Sequence, residues 1–189
     1  MDNSWLLKYK PKNLTEVTGN KTVIKNIDKY INSLYKGIES KHIVMITGSI
    51  GIGKSLIARL VLEKYNYRII ELNSSNLKDD INIILNNSIR YKNVLELFMD
   101  DNRKTAIIVE EIESMCSLGS KSNLNDLIDL IKKSEKKNPN YKDKIKIPII
   151  LTCNQSTEKK VNILRKLSTE FILKKPTVLN ISKLLNNII

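Results

Sequence analysis

Cysteine is scarce in this 189-residue chain, and long apolar runs are missing from it. Its two cysteines, Cys116 and Cys153, are too few for a disulfide framework and lack the spacing of a metal site. They are typical of small buried residues, so a reducing intracellular compartment is expected. The longest apolar runs, such as 43–46, are strand-sized and well below the ~20 residues that cross a bilayer. The first residues also lack the charged and apolar regions of a signal peptide, so no membrane partner is expected.

Acidic residues are outnumbered by basic ones. The chain has 32 Lys and Arg against 20 Asp and Glu, a formal net charge of +12. This excess favours polyanionic partners through long-range attraction and counterion release. A lysine-rich, solvated surface would have the same composition, so charge alone does not decide between the two.

Short apolar runs alternate with amphipathic segments, a pattern typical of a parallel sheet flanked by helices. In chain order the pattern predicts a helix at 21–35, a strand at 42–47, a helix at 55–65, strands at 67–72 and 105–109 with a helix at 79–89 between them, a helix at 123–133, and strands at 147–152 and 170–173. The polar segment 136–146 is broken by Pro139 and is predicted to be a loop. A new helical pattern begins at Val178, after Pro176, and is too short to form a domain.

The strongest local motif is GSIGIGKS at 48–55, which matches the phosphate-loop pattern G-x-x-x-x-G-K-[ST] between a predicted strand and a predicted helix. Glycine permits backbone geometry in which successive N–H groups converge on phosphate oxygens, and the helix N-terminus adds partial positive charge. Lys54 is expected to bridge the β- and γ-phosphates, and the Ser55 hydroxyl to help hold Mg²⁺. The sequence therefore predicts ATP and Mg²⁺ as ligands. The predicted nucleotide-binding residues of the loop are Gly48, Ser49, Ile50, Gly51, Ile52, Gly53, Lys54, Ser55 and Leu56.

Two glutamates, Glu110 and Glu111, follow the apolar strand at 105–109. A buried strand in this position presents its terminal carboxylates beside the phosphate loop. Glu110 is expected to be the Mg²⁺ ligand that orients metal-bound water, and Glu111 to polarise the attacking water. The first position is usually Asp. The extra methylene of Glu110 moves the carboxylate by about one bond length, which matters because Mg²⁺ requires near-ideal octahedral geometry. This difference bears on hydrolysis more than on nucleotide binding.

Asn154 ends the next apolar strand, where it is placed to hydrogen-bond the γ-phosphate or the attacking water. An asparagine after a strand is often only a turn residue. The order of the three motifs along the chain favours the catalytic interpretation. Lys54, Glu111 and Asn154 are therefore the predicted catalytic residues.

The N-terminal segment WLLKYKPKNLTEVTGN at 5–20 resembles the opening motif of replication factor C subunits, which are clamp loaders of the AAA+ ATPase family. Further similar segments are ELNSSN at 71–76, EEIESM at 110–115 in a large-subunit form, IPIILTCN at 147–154 and KPT at 175–177. The resemblance implies an α/β P-loop NTPase fold of the AAA+ type, with a five-stranded parallel sheet flanked by helices. It also implies an adenine-wrapping segment at 1–20, an ATP-binding α/β domain at 21–175 and the start of a truncated helical lid domain at 176–189. Within the first segment the implied base contacts lie near Tyr9, Pro11 and Val17.

The same resemblance implies a function: an ATPase subunit that opens a sliding clamp and places it on primer–template DNA, in the nucleus or at the site of DNA replication. The implied partners are other clamp-loader subunits, the clamp, bound through an apolar and aromatic segment at 88–98, and the DNA backbone. The implied DNA contacts are Ser74, Ser75, Asn76 and Lys78, where a plain helix cap is an equal alternative.

The stretch 164–169 lacks the Ser-Arg-Cys arginine finger of small clamp-loader subunits. A large subunit needs none, because its neighbour supplies the finger, so hydrolysis is expected to need an arginine in trans. Arg165 is the alternative finger within this stretch. Two other functions stay open: a non-hydrolysing ATP-bound scaffold with Glu110 as its signature, and a P-loop kinase of small molecules, although the sequence after Asn154 shows neither an Arg-bearing lid nor acceptor residues clearly.

Overall fold

The computed structural model describes residues 8–39, 41–73, 103–117, 121–135 and 147–186. Several predictions lie outside these ranges and stay predictions. They are the helix at 79–89, the DNA contacts at 74–78, the clamp-binding segment at 88–98 and the loop at 136–146.

Within the described ranges, helices and strands alternate along most of the chain. In order they are α1 (Lys21–Tyr35), β1 (Ile43–Thr47), α2 (Lys54–Lys64), β2 (Arg68–Leu72), β3 (Thr105–Val109), α3 (Ile112–Ser117), α4 (Lys121–Glu135), β4 (Ile149–Cys153), α5 (Lys159–Leu167), β5 (Thr169–Ile172) and α6 (Val178–Asn186). The predicted elements that fall in these ranges are confirmed, with bounds shifted by no more than two residues.

The strands form one five-stranded sheet in the order β2-β3-β4-β1-β5, and all paired neighbours are parallel. This confirms the predicted five-stranded parallel sheet. Every residue of β1 and β4 is buried, as expected for central strands covered on both faces. Because β1, β3 and β4 are neighbours and parallel, the loops that follow them meet at one edge of the sheet. Those loops carry the phosphate-loop motif, the paired glutamates and Asn154.

Two apolar clusters cover the two faces of the sheet. Alternate residues of each central strand belong to opposite clusters, as the two-residue period of a strand requires. On one face, Val44, Ile46 and Ile150 pack with α1 and α2. On the other face, Met45 and Leu151 pack with α3, α4 and α5. Cys153 belongs to this second cluster and is fully buried, which confirms the expectation of a small buried residue.

Helix α5 was not predicted from the sequence. Its segment, KKVNILRKL, is rich in lysine, and its N-cap residue Glu158 makes no side-chain capping bond. A two-turn helix is marginal on its own, so α5 depends on the burial of Val161 and Leu164 against the sheet. Helix α6 differs, since none of its described residues is buried. No helix in the described ranges has the length and apolarity that a bilayer crossing requires.

Candidate nucleotide-binding site

The loop between β1 and α2 depends on glycine for its shape. The backbone of Gly51 and Gly53 is left-handed, with φ of 75° and 90°. At Gly48 the limit is space: a Cβ there would lie 2.8 Å from the Leu173 carbonyl oxygen and 2.3 Å from Ile52 Cδ1. The Gly48 N–H donates to the Cys153 carbonyl at 3.3 Å, which ties the loop to the end of β4.

The N-terminus of α2 faces the same loop. Gly53 is its N-cap, and the Gly53 carbonyl accepts a hydrogen bond from Ile57 N–H at 2.9 Å. A glycine cap brings no side chain to the first N–H groups of the helix, which have no partner within a helix and bind anions readily. The strand, loop and helix therefore have the arrangement that a phosphate-binding loop needs.

Lys54 lies at the centre of the site and is only 9% exposed. Its ammonium donates hydrogen bonds to the Gly48 carbonyl at 3.1 Å, the Ser49 carbonyl at 2.8 Å and Asn154 Oδ1 at 2.6 Å. Burial lowers the pKa of Lys54, and the negative charge of Glu113 opposes that shift. The structure thus brings together two predicted catalytic residues that lie 100 positions apart.

The paired glutamates follow β3 as predicted, with Glu110 half-buried and Glu111 exposed. The Glu110 N–H donates to the Leu72 carbonyl at 2.8 Å. Glu111 is held through its backbone: its N–H donates to Thr152 Oγ1 at 3.1 Å, and its carbonyl accepts from the Ser114 hydroxyl at 2.7 Å. Its φ of 50° is left-handed, a conformation that costs a non-glycine residue of order 1 kcal/mol and recurs at functional sites.

Glu113 is a site residue that the sequence reasoning missed. It lies in the first turn of α3, and both of its carboxylate oxygens are buried. Among the groups that raise the pKa of Lys54, Glu113 has the largest effect. The motif EEIESM contains this acid two positions after Glu111, but its position alone does not report an interaction with Lys54.

The described residues fit Mg²⁺ only together with a bound phosphate. In the described ranges no group of three or more His, Cys, Asp or Glu residues could hold a metal ion. Mg²⁺ needs less than that, because it usually takes one or two carboxylates plus phosphate oxygens and water. Ser55, in the first turn of α2, and Glu110, directly after β3, provide a hydroxyl and a carboxylate at the same sheet edge.

Two of the predicted base-contact residues, Tyr9 and Pro11, are half-buried, and Lys8 Nζ lies 5.0 Å from the centroid of the Tyr9 ring. Val17 is 7% exposed and packs in the α1–α2 cluster, which also contains Leu173. Val17 therefore belongs to the same cluster as Leu173, the residue that directly follows β5. The contact of Tyr9, Pro11 and Val17 with a base stays a prediction.

Arg165, the alternative arginine finger, is engaged within its own domain. Its Nε donates to Glu170 Oε1 at 3.0 Å, and its other nitrogens donate to Asn162 and to the Ser156 carbonyl. Glu170 Oε1 also accepts from the Thr47 hydroxyl at 2.9 Å. This network favours a role inside the domain over a finger that reaches a neighbouring subunit.

Comparisons with known proteins agree on one family. The family model described as "ATPase family associated with various cellular activities (AAA)" matches residues 44–176. Replication factor C large subunit of Thermofilum pendens is 28% identical over 97% of this chain, and that of Sulfurisphaera tokodaii is 26% identical over all of it. Replication factor C subunit 1 of Arabidopsis thaliana is 27% identical over 97% of the chain.

Among solved structures, the Holliday junction branch migration motor RuvB of Thermotoga maritima superposes with a TM-score of 0.62. Its sequence is 18% identical, and the match covers 94% of this chain and 53% of RuvB, so this likeness concerns the fold. The chain spans 41% of the length of the Thermofilum relative and 21% of the Arabidopsis one.

The crowding at Gly48 gives a stability prediction. We expect Gly48→Ala to lower the free energy of unfolding by roughly 2–4 kcal/mol, because the new methyl group must displace the Leu173 backbone. The control is Gly37→Ala, where φ is also positive at 72° but a Cβ meets nothing within 4 Å. Strain alone should cost this control about 1 kcal/mol. Urea denaturation measures both, and equal losses would contradict the steric explanation.

Proposed function

This chain belongs to the AAA ATPase family, and on that premise we propose that it is the ATP-binding part of a clamp-loader subunit of the replication factor C large-subunit kind. In this proposal residues 1–20 wrap the adenine, 21–175 bind and hydrolyse ATP, and 176–189 begin a helical lid domain. ATP binding orders an interface with partner subunits, the assembly opens a sliding clamp around primer–template DNA, and hydrolysis releases it.

The observation that supports the proposal most is the contact between Lys54 and Asn154. It joins the phosphate loop to the end of β4, beside the loop that carries Glu111. The Lys54 ammonium is already held on the loop by two carbonyl groups, so little ordering is needed to place its charge against phosphate oxygens. Asn154 can then orient a water molecule for Glu111. ATP, when bound with Mg²⁺, supplies the phosphoanhydride bond whose cleavage ends the ATP-bound state.

The proposal also includes an arginine supplied by a neighbouring subunit and contacts with the DNA backbone. Arg165 is bound to Glu170 inside the domain, so the arginine that stabilises the transition state is proposed to come from a neighbouring subunit. The net charge of +12 favours contact with the phosphate backbone of DNA, which is independent of sequence. Similarity to replication factor C large subunits supports the same partners, with the site of DNA replication as the location.

One observation favours a second candidate function. Glu110 stands where this motif usually has Asp, and its longer side chain fits the geometry of Mg²⁺ less well. A non-hydrolysing, ATP-bound scaffold within the same assembly would tolerate this residue. Membership of an ATPase family speaks against the third possibility, a kinase of small molecules.

Hydrolysis measured in the assembled complex distinguishes these functions. The protein is purified with its partner subunits, and ATP turnover is followed with and without clamp and primed DNA, for wild type and for Glu110→Asp. Turnover that clamp and primed DNA stimulate at least severalfold supports the clamp loader. Turnover that is near zero in wild type and rises in Glu110→Asp supports the scaffold. Well-folded protein that binds no Mg²⁺-ATP in calorimetry excludes both.

A further inference from the structure

The side chain of Asn20 joins two distant parts of the chain. Its Nδ2 donates to the Lys174 carbonyl at 2.7 Å, and its Oδ1 accepts from the Lys174 N–H at 2.8 Å. One amide group thus satisfies both backbone groups of a residue 154 positions away. Paired bonds of this kind hold the partner segment in one register as well as one place.

Asn20 makes this long-range contact at the expense of a local one. It is the N-cap of α1, and its carbonyl accepts from Ile24 N–H at 2.9 Å. An N-cap asparagine ordinarily caps the first N–H groups with its side chain, but here no such bond is made. The backbone is also left-handed, with φ of 51°, where asparagine is tolerated better than most residues. The side chain of Asn20 therefore serves the contact with Lys174 and does not cap the helix.

Lys174 belongs to a short segment, 173–177, that connects β5 to α6 and that we call the linker. On one side the linker meets the phosphate loop, since the Leu173 N–H donates to the Thr47 carbonyl at 2.8 Å and the Leu173 carbonyl crowds Gly48. On the other side it meets Gly19, where a Cβ would lie 3.2 Å from Pro176 Cβ. The linker is thus held between the start of the phosphate loop and the end of the N-terminal segment.

We propose that Asn20 is a positioning residue that fastens the N-terminal segment to the linker, so that binding of the adenine base and the placement of α6 are coupled. This inference rests on the proposed function, in which the segment around Tyr9 and Pro11 contacts the base. Base binding steadies the segment, and Asn20 passes that restraint to Lys174 and so to the linker. By thermodynamic linkage the coupling works in both directions, so a partner that holds α6 also raises the affinity for the base.

The coupling can be tested separately from phosphate binding by the loop at 48–55. Asn20→Gly removes both hydrogen bonds to Lys174 and keeps the left-handed backbone accessible. We expect its Kd for Mg²⁺-ATP to rise about tenfold, because the base contacts lose their ordered support. Its Kd for Mg²⁺-tripolyphosphate, which has no base, should stay within about twofold of wild type. Asn20→Asp keeps the acceptor for the Lys174 N–H but not the donor to the Lys174 carbonyl. Its Kd for Mg²⁺-ATP should therefore lie between those of wild type and Asn20→Gly.

A matched control exists at the far end of α2. Asn66 is exposed, has a similar left-handed backbone with φ of 54°, and precedes β2. Asn66→Gly makes the same chemical change in the same conformation and should leave both Kd values unchanged. Hydrogen exchange provides a second measurement: ATP should protect the linker amides, including Lys174 N–H, in wild type and in Asn66→Gly but not in Asn20→Gly.

The outcomes are distinct. An unchanged Kd for ATP in folded Asn20→Gly overturns the inference, and so does an equal weakening for ATP and tripolyphosphate, which would indicate general damage to the loop. If Asn20→Gly does not fold, the same comparison in Asn20→Asp decides the matter. A wild-type protein that binds neither ligand would instead overturn the proposed function.

Discussion

Replacing Lys54 with methionine is expected to raise the Kd for Mg²⁺-ATP at least about a hundredfold, which corresponds to roughly 2.7 kcal/mol. Lys54 is 9% exposed, so its charge acts on a bound phosphate with little screening by water. Charge-assisted hydrogen bonds to phosphate are among the stronger polar contacts in proteins. Methionine has a similar volume and no charge, so the change removes the ammonium and leaves the packing nearly as it was.

The fold should survive this substitution. Burial already lowers the pKa of Lys54, which means that the folded protein holds the ammonium at a cost. Removing the charge relieves that cost, while the Gly48 carbonyl, the Ser49 carbonyl and Asn154 Oδ1 lose their donor. Because these two effects oppose each other, we expect the free energy of unfolding to change by less than about 1.5 kcal/mol. Calorimetry and urea denaturation test the two expectations separately.

Lys64→Met is the matched control for this prediction. Lys64 ends the same helix, its side chain is 49% exposed, and its ammonium pairs with Asp28 at 2.8 Å. A pair near the surface contributes at most about 1 kcal/mol, so ATP affinity should stay at the wild-type value and stability close to it. ATP affinity that survives in Lys54→Met would contradict the assignment of 48–55 as the phosphate-binding loop.

The elements of the fold that could be predicted from sequence are those with local signals. The central strands are continuous apolar runs, α1 carries buried residues at helical spacing, and the phosphate loop has a fixed glycine and lysine pattern. The resemblance to a known family predicted the five-stranded parallel sheet, and the order of the motifs along the chain favoured a catalytic place for Asn154, but neither predicted the order of the strands. The structure confirms the sheet and shows the contact between these two residues.

What could not be predicted depends on contacts between distant residues. Helix α5 is short and lysine-rich, and it is stabilised by burial of Val161 and Leu164. Glu113 has an ordinary place in a helical pattern, and only the fold brings its buried carboxylate close enough to influence Lys54. The partner of Asn20 is Lys174, which lies 154 positions away in the sequence. No local pattern reports such pairs, because their energy depends on tertiary structure.

The second large effect is expected at Glu111, where Glu111→Gln should lower ATP hydrolysis in the assembled complex at least about a hundredfold and leave ATP affinity within about threefold. The glutamate is exposed, and its backbone is fixed by Thr152 and Ser114, so its carboxylate is positioned from β4 and α3 without being buried. Glutamine keeps the size of the side chain and these backbone bonds but cannot accept a proton from water. Single-turnover hydrolysis and equilibrium binding, measured on the same preparation, separate the chemical step from affinity.

The control for this change is Glu63→Gln, which alters an exposed glutamate at the far end of α2 and should leave hydrolysis unchanged. Comparing the single variants Glu111→Gln and Glu110→Asp then distinguishes the roles of the two acids. If Glu110 holds Mg²⁺, its shortening changes the magnesium concentration needed for half-maximal turnover, whereas loss of Glu111 lowers the maximal rate at any magnesium concentration. Hydrolysis that persists in Glu111→Gln but is lost in Glu110→Gln would reverse the assignment, and would make the residue directly after β3 the one that activates water.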